Sequence, residues 1–368
     1  TGFGITKAGA GELVLSGNNT YTGSTTISAG TVILGASDRI ANTSQIILGG
    51  GTFSTGATSG YSEDVGTLQL TDHSTINLGT GVHTLTFDNS SGVGWTSGKV
   101  LTINGWTGII ETSGGGDAGK IVVGLNGLTT TQLAQVAFTG YSQGAVITGS
   151  GELVPKAKFF YSTSSSTPET PGNWNTERNG TGSSAVSGDF TASGVYFIIQ
   201  GSGNGGTTPH TMTTSSTWAI SGAGSKLQIE NGATLISPAA VTLSASAIFQ
   251  IDNGGTYKHQ NTSAWASTIF QGIESFGNSS TVEINSTATT LPTNSSYGHL
   301  IINLTTDPGA DLSFGGALTT INGSLTISNT QSRDIQLGTS TSSSLSITNN
   351  LSISGTSVFV FTAGTGSP

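Results

Sequence analysis

The chain has 368 residues, of which 8% are charged and 34% hydrophobic, and its formal net charge is −9. It has no cysteine, which excludes disulfides, thiolate metal sites and thiol catalysis, and no apolar run reaches the ~18 residues of a membrane-spanning helix. The ten Lys and Arg residues are scattered, so we expect neither nucleic acid nor anionic lipid as a partner.

The first half of the chain contains short apolar groups separated by Gly, Asn, Asp and Ser. Many of them alternate apolar and polar residues, which predicts strands that are buried on one face. The groups are LVL (13–15), VIL (32–34), IIL (46–48), LQL (68–70), LTF (85–87), LTI (101–103) and IVV (121–123). Helical spacing is clearest in TTTQLAQVAF (129–138), which predicts a short helix, with a strand as the alternative.

The composition changes in the middle of the chain, where Pro, Lys and a Ser/Thr run are concentrated. We therefore predict a first module over residues 1–155, a junction over 156–186 and a second module over 187–368. Aromatic residues of the junction are expected to cover the end of one module, and an aromatic sugar platform is the alternative. These residues are Phe159, Phe160, Tyr161 and Trp174.

The second module repeats the pattern of short apolar groups. They are LQI (227–229), VTL (241–243), LTI (325–327), IQL (335–337), LSI (345–347) and LSI (351–353). Similar phrases recur along the whole chain, namely SAGTVILG (28–35), ENGATLIS (230–237) and INGSLTIS (321–328). Each phrase is a Gly turn that leads into a strand, as expected where one corner of a coil is repeated.

Short strands joined by tight turns are compatible with a parallel β-solenoid and with tandem β-sandwiches. The short strands, the recurring phrases and the many Asn, Ser and Thr residues, which can form ladders between stacked coils, favour the solenoid. At roughly 20 residues per coil the chain would make about 18 coils. We therefore predict an all-β fold, a parallel β-helix in two modules.

Residues 5–35, ITKAGAGELVLSGNNTYTGSTTISAGTVILG, carry a specific pattern of Gly, Asn and Tyr. The pattern resembles the passenger-associated strand repeat of autotransporter proteins. The matching positions are Lys7, Gly9, Gly11, Ser16, Gly17, Asn19, Tyr21, Gly23, Thr25, Gly30 and Gly35. The resemblance implies a right-handed β-helix outside the cell, in which the repeat assists export and folding and contributes no catalytic residue.

Other segments extend the resemblance to bacterial surface proteins. Residues 85–108 and 128–155 resemble the closing segments that often follow such repeats. The second module, with GSKLQIENGATLIS (224–237) among its phrases, more generally resembles large surface proteins of Bacteroidota that are exported by type IX secretion. The chain begins and ends within repeat-like sequence, so we expect a mature piece of a longer protein that is displayed on a bacterial surface.

Candidate sites for chemistry are sparse. The acidic groups worth testing are Glu63–Asp64, Asp72–His73 and Glu283, and each is expected to be an exposed loop feature. GHL (298–300) lacks the residues that flank a polygalacturonase-like motif, and the segments TSGGGDAGK (112–120) and IDNGGTYK (251–258) are expected to be turns. GSGNGG (201–206) is expected to be a flexible loop, since no Lys-Ser/Thr follows it. We predict no catalytic, cofactor-binding or metal-binding residue.

The leading hypothesis is a non-enzymatic stalk or adhesin segment, whose partners would be copies of itself or other surface proteins. A self-assembling filament subunit is the first alternative. The second is a β-helix that binds or cleaves polysaccharide through exposed aromatic residues. The aromatic candidates are Trp95, Trp106, Trp174 and Tyr257.

Ice binding would require a regular row of Thr. It is disfavoured because pairs such as Thr25–Thr26, Thr213–Thr214 and Thr289–Thr290 have no constant period.

Overall fold

The computed structural model is all-β with 4% helix, and it forms a parallel β-solenoid of about 14 turns. It describes residues 2–360 except 115–118, 142, 203–207, 263–268, 287–290, 293, 295 and 339–343. The predicted fold class is therefore confirmed. The contacts divide the chain into two compact units, Thr1–Ala157 (unit 1) and Lys158–Pro368 (unit 2).

Unit 1 is built from two parallel sheets, because each coil contributes one strand to each sheet. The first sheet contains β1 (Ile5–Lys7), β3 (Thr25–Ile27), β5 (Ile46–Gly49), β7 (Glu63–Asp72), β9 (His83–Asp88) and β13 (Gly119–Val122). The second contains β2 (Glu12–Leu15), β4 (Thr31–Leu34), β6 (Thr52–Ser54), β8 (Ser74–Asn77), β10 (Leu101–Asn104) and β14 (Val136–Phe138). Adjacent coils are in register, as in the pairs Ile5–Thr25, Thr25–Ile46 and Ile46–Leu68. Equivalent side chains therefore stack directly on one another.

The C-terminal part of unit 1 departs from the coil pattern. An antiparallel hairpin, β15 (Ala145–Ile147) with β16 (Leu153–Pro155), joins the first sheet through an antiparallel bridge between Val122 and Glu152. The predicted short helix is present as α1 (Thr130–Leu133), where Thr129 and Gln132 form a capping box, and β14 follows it directly. A further small hairpin pairs β11 (Gly108–Ile109) with β12 (Ser113–Gly114).

Unit 2 has two large sheets and several smaller ones. The first contains β17 (Lys158–Ser162), β18 (Trp174–Asn175), β19 (Val195–Ile199), β22 (Lys226–Ile229), β25 (Ile248–Ile251) and β27 (Ile273–Phe276). The second contains β20 (Thr211–Thr213), β23 (Thr234–Ser237), β26 (Thr256–His259), β28 (Thr281–Ile284), β30 (His299–Asn303), β33 (Leu325–Asn329) and β36 (Leu351–Ile353). All neighbouring pairs in these two sheets are parallel except β17 and β18.

Three smaller sheets complete the coils of unit 2. They pair β21 (Trp218–Ile220) with β24 (Val241–Leu243), β29 (Ser296–Tyr297) with β32 (Thr320–Ile321) and β35 (Ser346–Ile347), and β31 (Leu312–Ser313) with β34 (Asp334–Gln336) and β37 (Val358–Val360). Short 3-10 turns lie at Pro171–Asn173, Ser187–Phe190 and Ile269–Gln271.

Coil length is less uniform than the sequence analysis assumed. Thr281 lies opposite His299, only 18 residues later, whereas Lys158 lies opposite Val195, 37 residues later. Loops between strands absorb the difference, because only the strand residues must stay in register. The expectation of about 18 coils was therefore too high, and the structure has about 14 turns.

The core of each unit is formed by inner rows of stacked apolar side chains. In the second sheet of unit 2 the inner row is at most 1% exposed. It comprises Met212, Leu235, Tyr257, Val282, Leu300 and Leu325. Since apolar burial contributes about 25 cal/mol per Å², each coil adds a modest increment, and stability is a sum over coil interfaces.

Polar residues at the coil corners form the ladders expected from the sequence. Asn104 Nδ2 donates to Asn77 Oδ1 at 2.8 Å, and the Thr139 hydroxyl donates to Asn104 Oδ1. These three residues belong to successive coils of unit 1, so each amide or hydroxyl is satisfied by its neighbour one coil away.

The aromatic residues of the predicted junction belong to unit 2. Phe160 and Trp174 are fully buried in its hydrophobic core. Phe159 and Tyr161 alternate with Phe160 along β17, and their rings stack at 6.4 Å between centroids. In the described residues, no helix has the length and apolar character needed to span a membrane.

Candidate functional site

The repeat segment, residues 5–35, folds as one coil together with the two strands that begin the next. Strand β1 lies on β3 through the pairs Ile5–Thr25 and Lys7–Ile27, while β2 lies on β4. The segment therefore contains a complete interface between two coils. Its sequence pattern thus includes both strands of each coil at this interface.

Lys7 joins the corners of these two coils. Its ammonium donates to the carbonyls of Ala8 at 3.2 Å and Gly9 at 2.6 Å in its own coil, and to that of Ala29 at 3.3 Å in the next. The side chain is 9% exposed, so the cation is held among backbone acceptors. A Lys at this position gives the turn a charge-assisted set of hydrogen bonds, and the role is structural.

A chain of hydroxyl groups crosses the same segment. Tyr21 Oη lies 2.7 Å from Thr25 Oγ1, which lies 3.1 Å from Ser44 Oγ, and Ser44 donates to the carbonyl of Gly23 at 2.8 Å. Burial raises the pKa of Tyr21, although the bond to Thr25 opposes the shift. The Tyr and Thr of the repeat thus connect its coil to the following one.

Asn19 lies in the loop between β2 and β3, within the repeat, and fixes it to the next coil. Its Nδ2 group donates to the carbonyl of Gly17 at 3.0 Å and to that of Arg39 at 2.9 Å. One amide side chain therefore bonds backbone positions in two coils. The loop has no strand pairing, so hydrogen bonds from a side chain fix its conformation.

Gly30 is the repeat position with the least room for a side chain. Its φ is +68°, and a Cβ there would lie 2.3 Å from the carbonyl oxygen of Gly11 and 2.5 Å from that of Gly9. Gly9 has a similar φ of +75°, but no atom would come within 4 Å of its Cβ. A substitution at Gly9 would therefore strain only the backbone, whereas one at Gly30 would also create a steric clash.

We expect Gly30→Ala to destabilise unit 1 by about 2 kcal/mol, and Gly9→Ala by only about 1 kcal/mol. Both variants carry the cost of a left-handed residue, and only Gly30→Ala adds a clash with backbone. The clash adds about 1 kcal/mol, which is the lower end of the usual cost of overpacking. Urea unfolding of the two variants measures the difference, and equal losses would contradict the steric explanation.

Glu63 was predicted to lie in an exposed loop, and this was wrong. It begins β7 and is 1% exposed, and its carboxylate accepts hydrogen bonds from the backbone N–H groups of Arg39 at 2.8 Å and Ile40 at 2.9 Å. Burial raises the pKa of Glu63, and these two hydrogen bonds oppose the rise. The carboxylate anchors the loop that follows the repeat.

The other acidic candidates also have structural partners. Asp72 pairs with Lys99 at 2.7 Å, and this bond lowers the pKa of Asp72. Glu283 pairs with Lys258 at 2.9 Å; burial raises its pKa, but bonds from Asn285 and Lys258 outweigh that effect and lower it overall. The acidic groups that the sequence singles out thus serve as local ties between coils.

Two of the histidines accept hydrogen bonds from backbone N–H groups of neighbouring coils. His73 Nδ1 accepts from the backbone of Val100, and His299 Nδ1 accepts from that of Ser324. Within the described residues, no three His, Asp or Glu side chains form a group that could hold a metal ion. Residues 115–118 of the segment 112–120, and 203–207 of the Gly-rich loop, lie outside the described residues.

Three of the four aromatic residues expected on the surface are buried. Trp106 is 6% exposed, and Trp174 and Tyr257 are fully buried. Trp95 is half-buried and donates from Nε1 to the carbonyl of Leu68 at 3.0 Å. The expectation was wrong because the large apolar area of these rings fills wide parts of the solenoid interior.

A Ser–His pair escaped the sequence analysis. Ser162 Oγ lies 2.7 Å from His210 Nδ1 and also accepts from the backbone N–H of Gln200 at 2.9 Å. Ser162 is fully buried, so its hydroxyl is enclosed by protein and its role is structural. Its partner lies 48 residues away, and no local pattern signals such a pair.

The model of the passenger-associated-transport-repeat family matches residues 5–34 of the chain. No curated protein and no solved structure matches it. The family match covers the repeat segment described above, in which Lys7, Asn19, Tyr21 and Gly30 make the contacts between coils.

Proposed function

We propose that the chain is a segment of a bacterial surface protein, a rigid β-solenoid stalk or adhesin without enzymatic activity. The observation that supports this most directly is the passenger repeat at residues 5–34, folded as an interface between two coils. A solenoid of this kind gains stability from coil to coil, which suits a long structure that folds progressively after export. Export by a type IX route, which the second module suggests, remains a prediction.

The acidic residues support a non-enzymatic role. General acid–base catalysis needs a carboxylate or imidazole within reach of a bound substrate. Glu63 is buried against backbone N–H groups, and Asp72 and Glu283 each pair with a lysine. A surface structure of this type functions through length, rigidity and the side chains on its outer faces.

Surface display can be tested on intact cells that make the protein. We expect brief protease treatment of whole cells to release peptides from both units, and an antibody against unit 2 to label the cell exterior in electron micrographs. A cytoplasmic protein in the same cells serves as the control for lysis. Peptides that appear only after the cells are broken would overturn the proposal.

A further inference from the structure

A polar groove lies on the outside of unit 2, where β25 and β27 end. It has a volume of about 480 Å³ and crosses from one coil to the next. Its walls carry amide, carboxylate and hydroxyl groups. The polar residues that line it are Asn231, Gln250, Asp252, Asn253 and Ser275.

The groove exists because one coil has smaller side chains than its predecessors. The sequence Gln-Ile-acid-Asn ends two successive strands, at 228–231 and 250–253, and the third strand has Ser275-Phe-Gly-Asn instead. Gln228, Gln250 and Ser275 are stacked in register on the outer face. Ser275 therefore leaves open the space that a Gln side chain fills in the two preceding coils, whereas the space beside Gly277 is occupied by Asn253.

The carboxylate beside this space is held in a fixed orientation. Asp252 Oδ2 accepts from Gln228 Nε2 at 2.8 Å, and Oδ1 accepts from Gln250 Nε2 at 2.6 Å. Neutral amides orient the group without cancelling its charge, and each oxygen has a second acceptor direction. Asn253 is fixed in a similar way, since its Oδ1 accepts from the backbone of Ser279 at 3.0 Å while its amide group carries two donors.

We propose that this groove binds a neutral glycan. Hydroxyl groups both donate and accept, which matches a surface where oriented acceptors and amide donors alternate over a short distance. Phe276 takes no part, because it lies on the inner face of the sheet and packs against Phe249 and Tyr297. Asp252 and the net charge of −9 select against uronic or sulfated chains.

The inference deepens the proposed adhesive role by naming a ligand class and a position for it. The inference rests on the proposed adhesive role only in that this role explains where the protein would meet a glycan. The experiment below uses the purified full chain in solution. A failure of surface display and a failure of glycan binding are therefore separate results.

The test is binding to an array of neutral oligosaccharides of glucose, mannose, galactose and N-acetylglucosamine, with polygalacturonate and alginate as anionic comparators. The best neutral ligand is then titrated calorimetrically. Asp252→Ala should weaken binding about tenfold or more, because a hydrogen bond to a charged group is lost. Ser275→Gln should abolish binding, because it restores the side chain that fills this position in the two preceding coils.

Ser352→Gln is the matched control, since it makes the same change at an exposed outer position of β36. Both Ser positions are exposed, so circular dichroism should show an unchanged fold for both variants. Loss of binding in Ser275→Gln with retention in Ser352→Gln is the expected result. The proposal is overturned if no neutral glycan binds, if the anionic chains bind more tightly, or if Ser275→Gln binds as well as the unaltered protein.

Discussion

Replacing Trp174 with Ala is expected to reduce the free energy of unfolding of unit 2 by about 3 to 5 kcal/mol, the usual cost of truncating a large buried aromatic residue. Trp174 is fully buried and stacks on Trp218 with 5.4 Å between ring centroids. It also meets Phe197 edge to face at 5.2 Å, and its Nε1 group donates to the carbonyl of Pro168 at 2.7 Å. The variant loses all of these contacts and leaves a cavity in the core.

Ile273→Ala is the control for this experiment. Ile273 lies on an outer position of the same sheet and is 51% exposed, so its truncation should cost less than about 1 kcal/mol. Unfolding by urea should be followed by far-ultraviolet circular dichroism, because the substitution itself changes tryptophan fluorescence. A loss below about 1 kcal/mol for Trp174→Ala would show that the ring does not support the core.

Unit 2 is expected to lose stability when the pH falls from about 6.5 to about 4, by about 3 kcal/mol through His259 alone. The imidazole is fully buried, and its Nδ1 lies 2.9 Å from Tyr257 Oη. Burial lowers the pKa of His259 from 6.5 to about 4, against an opposing bond with the backbone of Asn261.

The sign follows from the direction of this shift. In the unfolded chain the imidazole binds a proton near pH 6.5, and in the folded protein only near pH 4. Between these values the unfolded state binds more protons, so acidification favours it. The contribution is complete above pH 6.5 and is lost as the pH falls through 4.

His259→Gln isolates this contribution, because Gln stays neutral over the whole range. The free energy of unfolding is measured at pH 7 and at pH 4 for both proteins. We expect the unaltered protein to lose about 3 kcal/mol more than the variant. If the two proteins lose the same free energy of unfolding between pH 7 and pH 4, the acid sensitivity belongs to other groups and the prediction for His259 is wrong.

Much of the fold follows from local sequence. The alternation in LTF (85–87) and LTI (101–103) predicts strands, and both are buried on alternate residues in β9 and β10. The segment 129–138 predicts a short helix with a strand as the alternative, and it contains both, α1 followed by β14. The pattern of residues 5–34 is specific because its Lys, Asn and Gly positions each meet a requirement of one turn or one coil contact.

The long-range arrangement could not be predicted in the same way, as the threonines show. Thr31, Thr52, Thr75 and Thr102 form one row on the outer face of the second sheet of unit 1. Thr211, Thr234, Thr256 and Thr281 form another on the second sheet of unit 2. No regular row was expected from the spacing of the threonines in the sequence. Of the pairs considered there, Thr289–Thr290 lies outside the described residues. Thr pairs directly opposite one another stabilise adjacent strands, which accounts for both rows.

The sequence by itself determined the short strands, their buried faces, the helix and the stacking motif, because these depend on residues a few positions apart. The tertiary structure alone decided which residues meet across coils: the threonine rows, the enclosed Ser162–His210 pair, the burial of Trp174 and Tyr257, and the groove at Ser275. The physical reason is that backbone hydrogen bonds fix the register of the strands, while loops of unequal length separate them along the chain. Contacts between coils therefore have no fixed spacing in the sequence.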